Sequence, residues 1–333
     1  MLGFSFSTLS ALFILLFAGP LKGKLFTGRG GQELEASSFS SDRLSRDANL
    51  MERVNYMMKQ CNATPFLLGQ NSYKSQRAID RNFVKDCFDR IGFLVPASAQ
   101  TKPKVDLIGD SFAEKLAPFA ALAAKNAGYD FHLFYGYGCS YLLRSKLIKN
   151  PSFPQCRYFN EQTLESALLD SLKKGDVVLL RLHLGNKSYV RYPSGHDQPS
   201  PDVYDAAISD LHRKIQAKQA HLLLIGGNPN LGTQDLASLR PDWFNAWNRT
   251  SKINPKNSQE TIFFHYLDDH LNDQFGGGAL NIYLSLKPVL CPEQNFCTLS
   301  LNNKFLYEDD HHLSPYGHEL FLPELEKRLR SFS

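Results

Sequence analysis

From residue 104 onward, short apolar runs alternate with longer amphipathic ones, and this alternation constrains the fold more than any other feature of the chain. Residues 105–108 (VDLI), 130–135 (DFHLFY), 176–182 (DVVLLRL) and 221–225 (HLLLI) have the length and composition of strands. Between them, residues 112–126, 161–174 and 201–218 space apolar side chains at the three- and four-residue period of a helix. The run 176–182 is apolar almost throughout, as expected of a strand covered on both faces. Strands alternating with helices predict an α/β fold, a three-layer α/β/α sandwich around a parallel sheet. Pro118 is expected to kink the first of these helices. Residues 315–330 predict one amphipathic helix that closes the chain, and 186–204 and 228–260 read as long polar insertions of the kind that often carry function.

In open parallel sheets, ligands sit at the carboxyl ends of strands. The first predicted strand ends in Gly109-Asp110-Ser111. A serine at that strand-to-helix turn exposes its hydroxyl at the sheet edge, and its N–H lies at a helix N-terminus that favours a developing oxyanion. The tripeptide alone is weak evidence, because Asp110 or Ser111 could simply cap the helix.

A second block, Asp309-Asp310-His311-His312-Leu313-Ser314, strengthens the first. A serine hydroxyl needs a base, and the base needs an orienting carboxylate. Asp309 and His312 stand three residues apart, so on a turn they can face the same way. Asp310 and His311 are competing choices. The same block could also be a helix start, with Ser314 followed by Pro315. Four ligand-type residues in a row cannot all reach one metal ion without strain, so no metal is expected. Further oxyanion donors are sought after the next strands: Gly138 in Gly136-Tyr137-Gly138-Cys139, and Arg181 or Asn186 in the stretch after 180. Each reads equally well as a turn glycine or a surface polar residue.

Net charge is +4 over 333 residues, with no basic stripe, which argues against nucleic acid. The N-terminus differs from the rest. Residues 4–20 carry no charge, and Lys22 and Lys24 follow. Segment 1–23 is thus expected to be a signal anchor or a signal peptide. By the positive-inside rule the flanking lysines would leave the body in the cytoplasm. The cysteines argue otherwise. Cys61 and Cys87, Cys139 and Cys156, and Cys291 and Cys297 form three sequential couples. Six cysteines allow fifteen connectivities, so the pairing stays open, but an even number behind an export-like segment suggests three disulfides in an oxidising compartment. The expected organisation is a flexible tether over 24–56, then one domain over 57–333, made of a disulfide-bearing wrap (57–103) and a core (104–333).

These blocks resemble the SGNH/GDSL hydrolase superfamily: Gly109-Asp110-Ser111 matches its first block and Asp309-x-x-His312 its last. The resemblance is closer to the SGNH domains fused to membrane O-acyltransferases that acylate surface polysaccharides. Gly138-Cys139 with Cys156 downstream carries it, as does Leu290-Cys291-Pro292 with Cys297, followed by the run from Leu306 to Gly317. It implies a flavodoxin-like sandwich, a catalytic triad of Ser111, His312 and Asp309, and Gly138 as an oxyanion donor. The superfamily's third-block asparagine has no clean counterpart, since Asn186 comes late after the third strand. It further implies a membrane-anchored or secreted enzyme, in the periplasm or extracellular space, that moves or removes O-acyl groups (acetyl foremost) on a glycan without a cofactor. Any membrane acyl-donor channel would be a separate acyltransferase partner. Tyr135, Tyr137, Tyr189, Tyr192, Trp243 and Trp247 could form a sugar-stacking platform, or simply pack in core and loops. The rival expectation is a catalytically silent module that binds a glycan or a partner.

Overall fold

The computed structural model of the chain describes residues 47–63, 81–91, 102–136, 161–181, 201–229, 252–253, 259–277, 280–293, 296–302, 304–309 and 311–332. Two helices come first, α1 (Ala48–Gln60) and α2 (Arg81–Asp89). The core then runs β1 (Lys104–Gly109), α3 (Ser111–Ala127), β2 (Asp130–Tyr135), α4 (Glu161–Ser171), β3 (Val177–Arg181), α5 (Pro201–Gln216) and β4 (His221–Ile225). It continues with β5 (Lys252–Ile253), α6 (Gln259–Phe275), β6 (Tyr283–Leu284), α7 (Lys287–Leu290), β7 (Cys297–Thr298), β8 (Ser300–Leu301) and β9 (Lys304–Phe305). Two short helices, α8 (Pro315–Glu319) and α9 (Leu322–Arg330), end it.

Five strands form one parallel sheet in the order β2-β1-β3-β4-β6. β1, β3 and nearly all of β2 and β4 are buried, which is why their sequences read as apolar runs. The order explains where a site must lie. From β1 the chain steps outward to β2, then crosses back over β1 to β3. Right-handed crossovers therefore place α3 on one face and α4 and α5 on the other. Accordingly α3 packs with α9 and α1, while α2 packs on α4 and α5 on α6. The reversal falls between β1 and β3, and a crevice opens there at the carboxyl ends of the two strands.

Three sequence expectations change. The tether expected over 24–56 gives way to structure at Asp47, whose carboxylate caps α1 by accepting the Leu50 N–H at 3.1 Å. Leu50, Val54 and Met57 of that helix are fully buried, so apolar spacing within a polar stretch recruited it to the core. The single closing helix expected over 315–330 is two helices. Pro323 has no N–H to give and its ring would collide with the carbonyl of Glu319, which is where α8 stops. Finally, α6 and the fifth strand β6 emerge where no element was expected. β6 is only two residues long, too short for a periodic signal. Pro118 lies inside α3, which runs unbroken from Ser111 to Ala127 and stops at Gly128, in the left-handed region at φ 88°.

Cys61 and Cys87 are joined, with Cα atoms 5.7 Å apart, which ties α1 to α2. Phe88 of α2 packs on Phe134 of β2, ring centroids 5.9 Å apart. The buried Lys104 ammonium holds the same junction: it pairs with Asp106 at 2.9 Å and donates to the Phe88 carbonyl and the Ser171 hydroxyl. Cys291 and Cys297 form a second disulfide. Cys139 and Cys156 lie outside the described residues. Among the described residues no helix is long and apolar enough to cross a membrane, and segment 1–23 lies outside them.

Candidate active site

Ser111 is the first residue of α3, and Asp110 alone separates it from β1. Asp110 is the cap. Its carboxylate accepts the Phe112 N–H at 3.0 Å, and its carbonyl accepts from Ala113 and Glu114. The Ser111 amide is thus one of the helix-end N–H groups with no carbonyl of its own helix to bind, and the helix dipole points it at anions. Gly109 permits the turn to pass this close to its neighbours. A Cβ there would stand 2.7 Å from the Ala113 Cβ and 3.1 Å from the Arg181 carbonyl.

The histidine comes from a turn between β9 and α8. Tyr307 bridges Leu313, and the Glu308 N–H donates to the His312 carbonyl at 3.0 Å. Inside this turn one oxygen of Asp309 accepts two backbone N–H groups, from His311 at 2.9 Å and His312 at 2.6 Å. Its other oxygen meets His312 Nδ1 at 2.7 Å. A carboxylate there keeps the proton on Nδ1, which leaves Nε2 bare. Nε2 stands 2.9 Å from the Ser111 hydroxyl. Burial pushes the Asp309 carboxyl upward, but the His312 ring and the two turn N–H groups outweigh it and hold the group well below the usual carboxylate range. The relay Asp309–His312–Ser111 therefore ends in a carboxylate at Nδ1 and turns Nε2 to the serine hydroxyl, as proton abstraction from serine requires.

Of the competing choices, His311 lies beside His312 with the rings tilted and their centroids 4.1 Å apart, and Asp310 lies outside the described residues. The Phe112 ring covers the site from α3, 4.8 Å from the His312 ring. Asp110, buried beneath, is pushed up to about 6 by its burial, against the opposing pull of the Phe112 N–H, Arg181 and His312.

Over residues 77–327 the chain matches the family model described as SGNH domain (fused to AT3 domains). The chain belongs to this family. Membership places this SGNH domain among acyl-transferring and ester-hydrolysing enzymes. Its fold is similar to that of the periplasmic domain of a lipopolysaccharide acetyltransferase from Salmonella ser. Paratyphi A. That match has a TM-score of 0.52 at 14% identity and covers 86% of this chain and 98% of that one. A GDSL-like lipase from Bacteroides thetaiotaomicron matches at TM-score 0.44 and 10% identity, over 71% of this chain and 92% of its own. A search of curated proteins returned no sequence match.

The SGNH domain distributes the other candidates as follows. Gly138, Asn186, Tyr137, Tyr189, Tyr192, Trp243 and Trp247 lie outside the described residues. Tyr135 does not face solvent as a stacking platform would: it is 3% exposed, and its hydroxyl donates to the Met58 carbonyl on α1. Arg181 is 2% exposed, and its guanidinium donates inward to the Ile225 carbonyl and to Asn228. Asn228 is the residue that sequence reading missed. It sits just past the carboxyl end of β4, and its amide donates to the His311 carbonyl at 2.9 Å. Its signal was position: Gly226-Gly227-Asn228-Pro229 follows a buried strand at the edge where such folds place their sites.

Among the described residues, two clusters each bring three metal-ligand side chains together, His265 with Cys291 and Cys297, and Asp309 with His311 and His312. In the first the two sulfurs are bonded to each other. In the second the Asp309 oxygens and His312 Nδ1 are already committed to the hydrogen bonds above.

Proposed function

We propose that this SGNH domain is an exported serine esterase or O-acyltransferase that acts on O-acyl groups, O-acetyl foremost, of a cell-surface or extracellular polysaccharide. The observation that carries the reading is the unbroken relay from Asp309 through His312 to Ser111 at the carboxyl end of β1. Ser111 attacks the acyl carbonyl as its proton passes to His312 Nε2. Asp309 holds the imidazolium that forms, and the Ser111 N–H and helix end favour the oxyanion. The tetrahedral intermediate collapses to an acyl-Ser111 ester as His312 returns the proton to the leaving sugar oxygen. A second acceptor, water or a sugar hydroxyl, then loses its proton to His312 and takes the acyl group, and His312 passes that proton to the Ser111 oxygen as its ester bond breaks. Water makes the enzyme an esterase, and a sugar makes it a transferase. Family membership supports the acyl chemistry. The two disulfides support an oxidising compartment outside the cytoplasm, and a membrane acyltransferase is the partner this reading would enlist as donor.

The test is intact mass after incubation with a fluorophosphonate, followed by hydrolysis of p-nitrophenyl acetate and of O-acetylated polysaccharides. The expected result is one adduct on the wild type and none on Ser111→Ala, with acetate released from the polysaccharide or exchanged onto it. A folded, oxidised wild type that takes no adduct and turns over no ester would overturn the proposal in favour of a silent binding module.

A further inference from the structure

The turn that carries His312 is well closed on itself, but its internal hydrogen bonds fix only its shape. Its place against the sheet, and so the distance from His312 to Ser111, must come from contacts that leave the turn. Two are polar. Lys115 of α3 pairs with Glu308 through a long side chain that is 39% exposed. Asn228 reaches the His311 carbonyl from the end of β4 and is 5% exposed. A short buried amide has little freedom, so it places the turn more tightly than a surface lysine does.

The direction of the Asn228 amide is also determined. Arginine offers donors only, so its guanidinium must face the Asn228 oxygen. The NH2 group then has to face the other way, toward the His311 carbonyl, and a flipped amide would set donor against donor and acceptor against acceptor. Arg181 itself is seated by the Ile225 carbonyl and lies 5.6 Å from the centre of the Phe112 ring, the same ring that packs on His312. Buried Asp110 and Asp268 supply its counter-charge, and Asp268 is held in turn by the hydroxyls of Tyr283 and Ser285. A one-way chain therefore runs from the ends of β3 and β4 to the backbone beside the base.

We propose that Asn228, oriented by Arg181, is a positioning residue that sets where His312 stands relative to Ser111. The proposal rests on the reading of Ser111 as nucleophile and His312 as its base. Asn228 touches neither. It acts through the His311 carbonyl, one residue before the base. A displacement of about 1 Å at such a contact costs on the order of a hundredfold in rate.

Asn228→Asp is the informative variant. It keeps an acceptor for Arg181, so the buried guanidinium stays paired, but it removes the donor and turns a carboxylate oxygen toward the His311 carbonyl. On the full chain, the Tm of N228D is expected to stay within a few degrees of the wild type. KM for p-nitrophenyl acetate should be nearly unchanged, while kcat and the fluorophosphonate labelling rate fall about 10- to 100-fold. A second readout does not depend on turnover. With 15N-labelled histidine, the Nε2 shift of His312 reports the hydrogen bond from Ser111. Ser111→Ala should move that shift in the wild-type background and leave it unmoved in N228D. If the wild type proves inert to fluorophosphonate and ester, the esterase reading falls, and this second comparison still decides the positioning role. A folded N228D with wild-type kcat, or with an Nε2 shift that still responds to Ser111→Ala, overturns the proposal. So does a variant that merely melts earlier while its folded fraction keeps full activity.

Discussion

Ser111 and His312 lie 201 positions apart in the chain and 2.9 Å apart in the fold. One belongs to the first turn of a helix and the other to a turn near the C-terminus, so the contact exists only when the sheet, α3 and the C-terminal segment are all in place.

The orienting carboxylate gives the first prediction. Asp309→Asn keeps the size of the side chain, and an amide oxygen can still accept the two turn N–H groups. Its NH2 then faces His312 Nδ1 and drives the proton to Nε2, the wrong tautomer for a base. Ester turnover should fall by about 10³- to 10⁴-fold, with Tm nearly unchanged. Turnover above a tenth of the wild type would remove Asp309 from the mechanism.

Asp110 makes stability depend on pH. Its burial raises the folded pKa to about 6, against about 3.9 in an unfolded chain. A raised folded pKa means that the stabilising contribution is fully present below about pH 4 and lost as pH rises through about 6. The amide of Asp110→Asn cannot titrate but still caps the helix. In urea unfolding, the gap between wild type and Asp110→Asn should therefore shift by about 2 kcal/mol between pH 4 and pH 7.5, against the wild type at the higher value. Asp309 works in the opposite sense: its folded pKa is lowered, so its contribution is present above about pH 4 and lost only as pH falls further. Measurements at pH 4 and above keep the two apart. A gap that does not change with pH would contradict the buried, proton-binding Asp110.

Gly109→Ala forces a methyl into contact with the Ala113 Cβ and the Arg181 carbonyl. Neither can yield without moving α3 or β3. A loss of about 1–3 kcal/mol is expected in thermal or urea melts, with kcat falling more than KM rises because Ser111 rides on the same turn. An unchanged melt would mean that the turn has more room than these distances allow.

The Cys61–Cys87 disulfide closes a separation of 26 residues and ties α1 to α2. Replacing both cysteines with alanine should cost about 2–4 kcal/mol, mostly through the freed unfolded chain. Activity of the folded fraction should survive, since neither α1 nor α2 contributes a residue to the relay. Loss of fluorophosphonate labelling in a protein that still melts cooperatively would show that α1 and α2 reach the site after all.

Much of this was legible in the amino-acid sequence because it is local. The apolar runs of β1 to β4, the cap at Asp110 and the Asp309-x-x-His312 turn each depend on residues within a few positions of one another. Covalent proximity limits what such groups can do, and a carboxylate three residues before a histidine needs only a tight turn to reach its ring. The cysteines stand in sequential couples whose pairing the sequence left open, and the fold joins Cys61 to Cys87 and Cys291 to Cys297.

Other features had no local signature. β6 is two residues whose strand character comes from lying beside β4. Arg181 stayed open between an oxyanion donor and a surface polar residue, and Tyr135 between a sugar-stacking ring and core packing, because composition does not say which strand will cover a side chain. Asn228 was one polar residue in a polar stretch. It acquired a role only once β3 stood next to β4 in register, which put a guanidinium on one side of its amide and the His311 carbonyl on the other. The sequence by itself thus determined the chemistry available and the class of fold that could present it. The tertiary structure decided which buried polar groups meet, since a buried donor or acceptor must take the partner that the packing of distant strands brings to it.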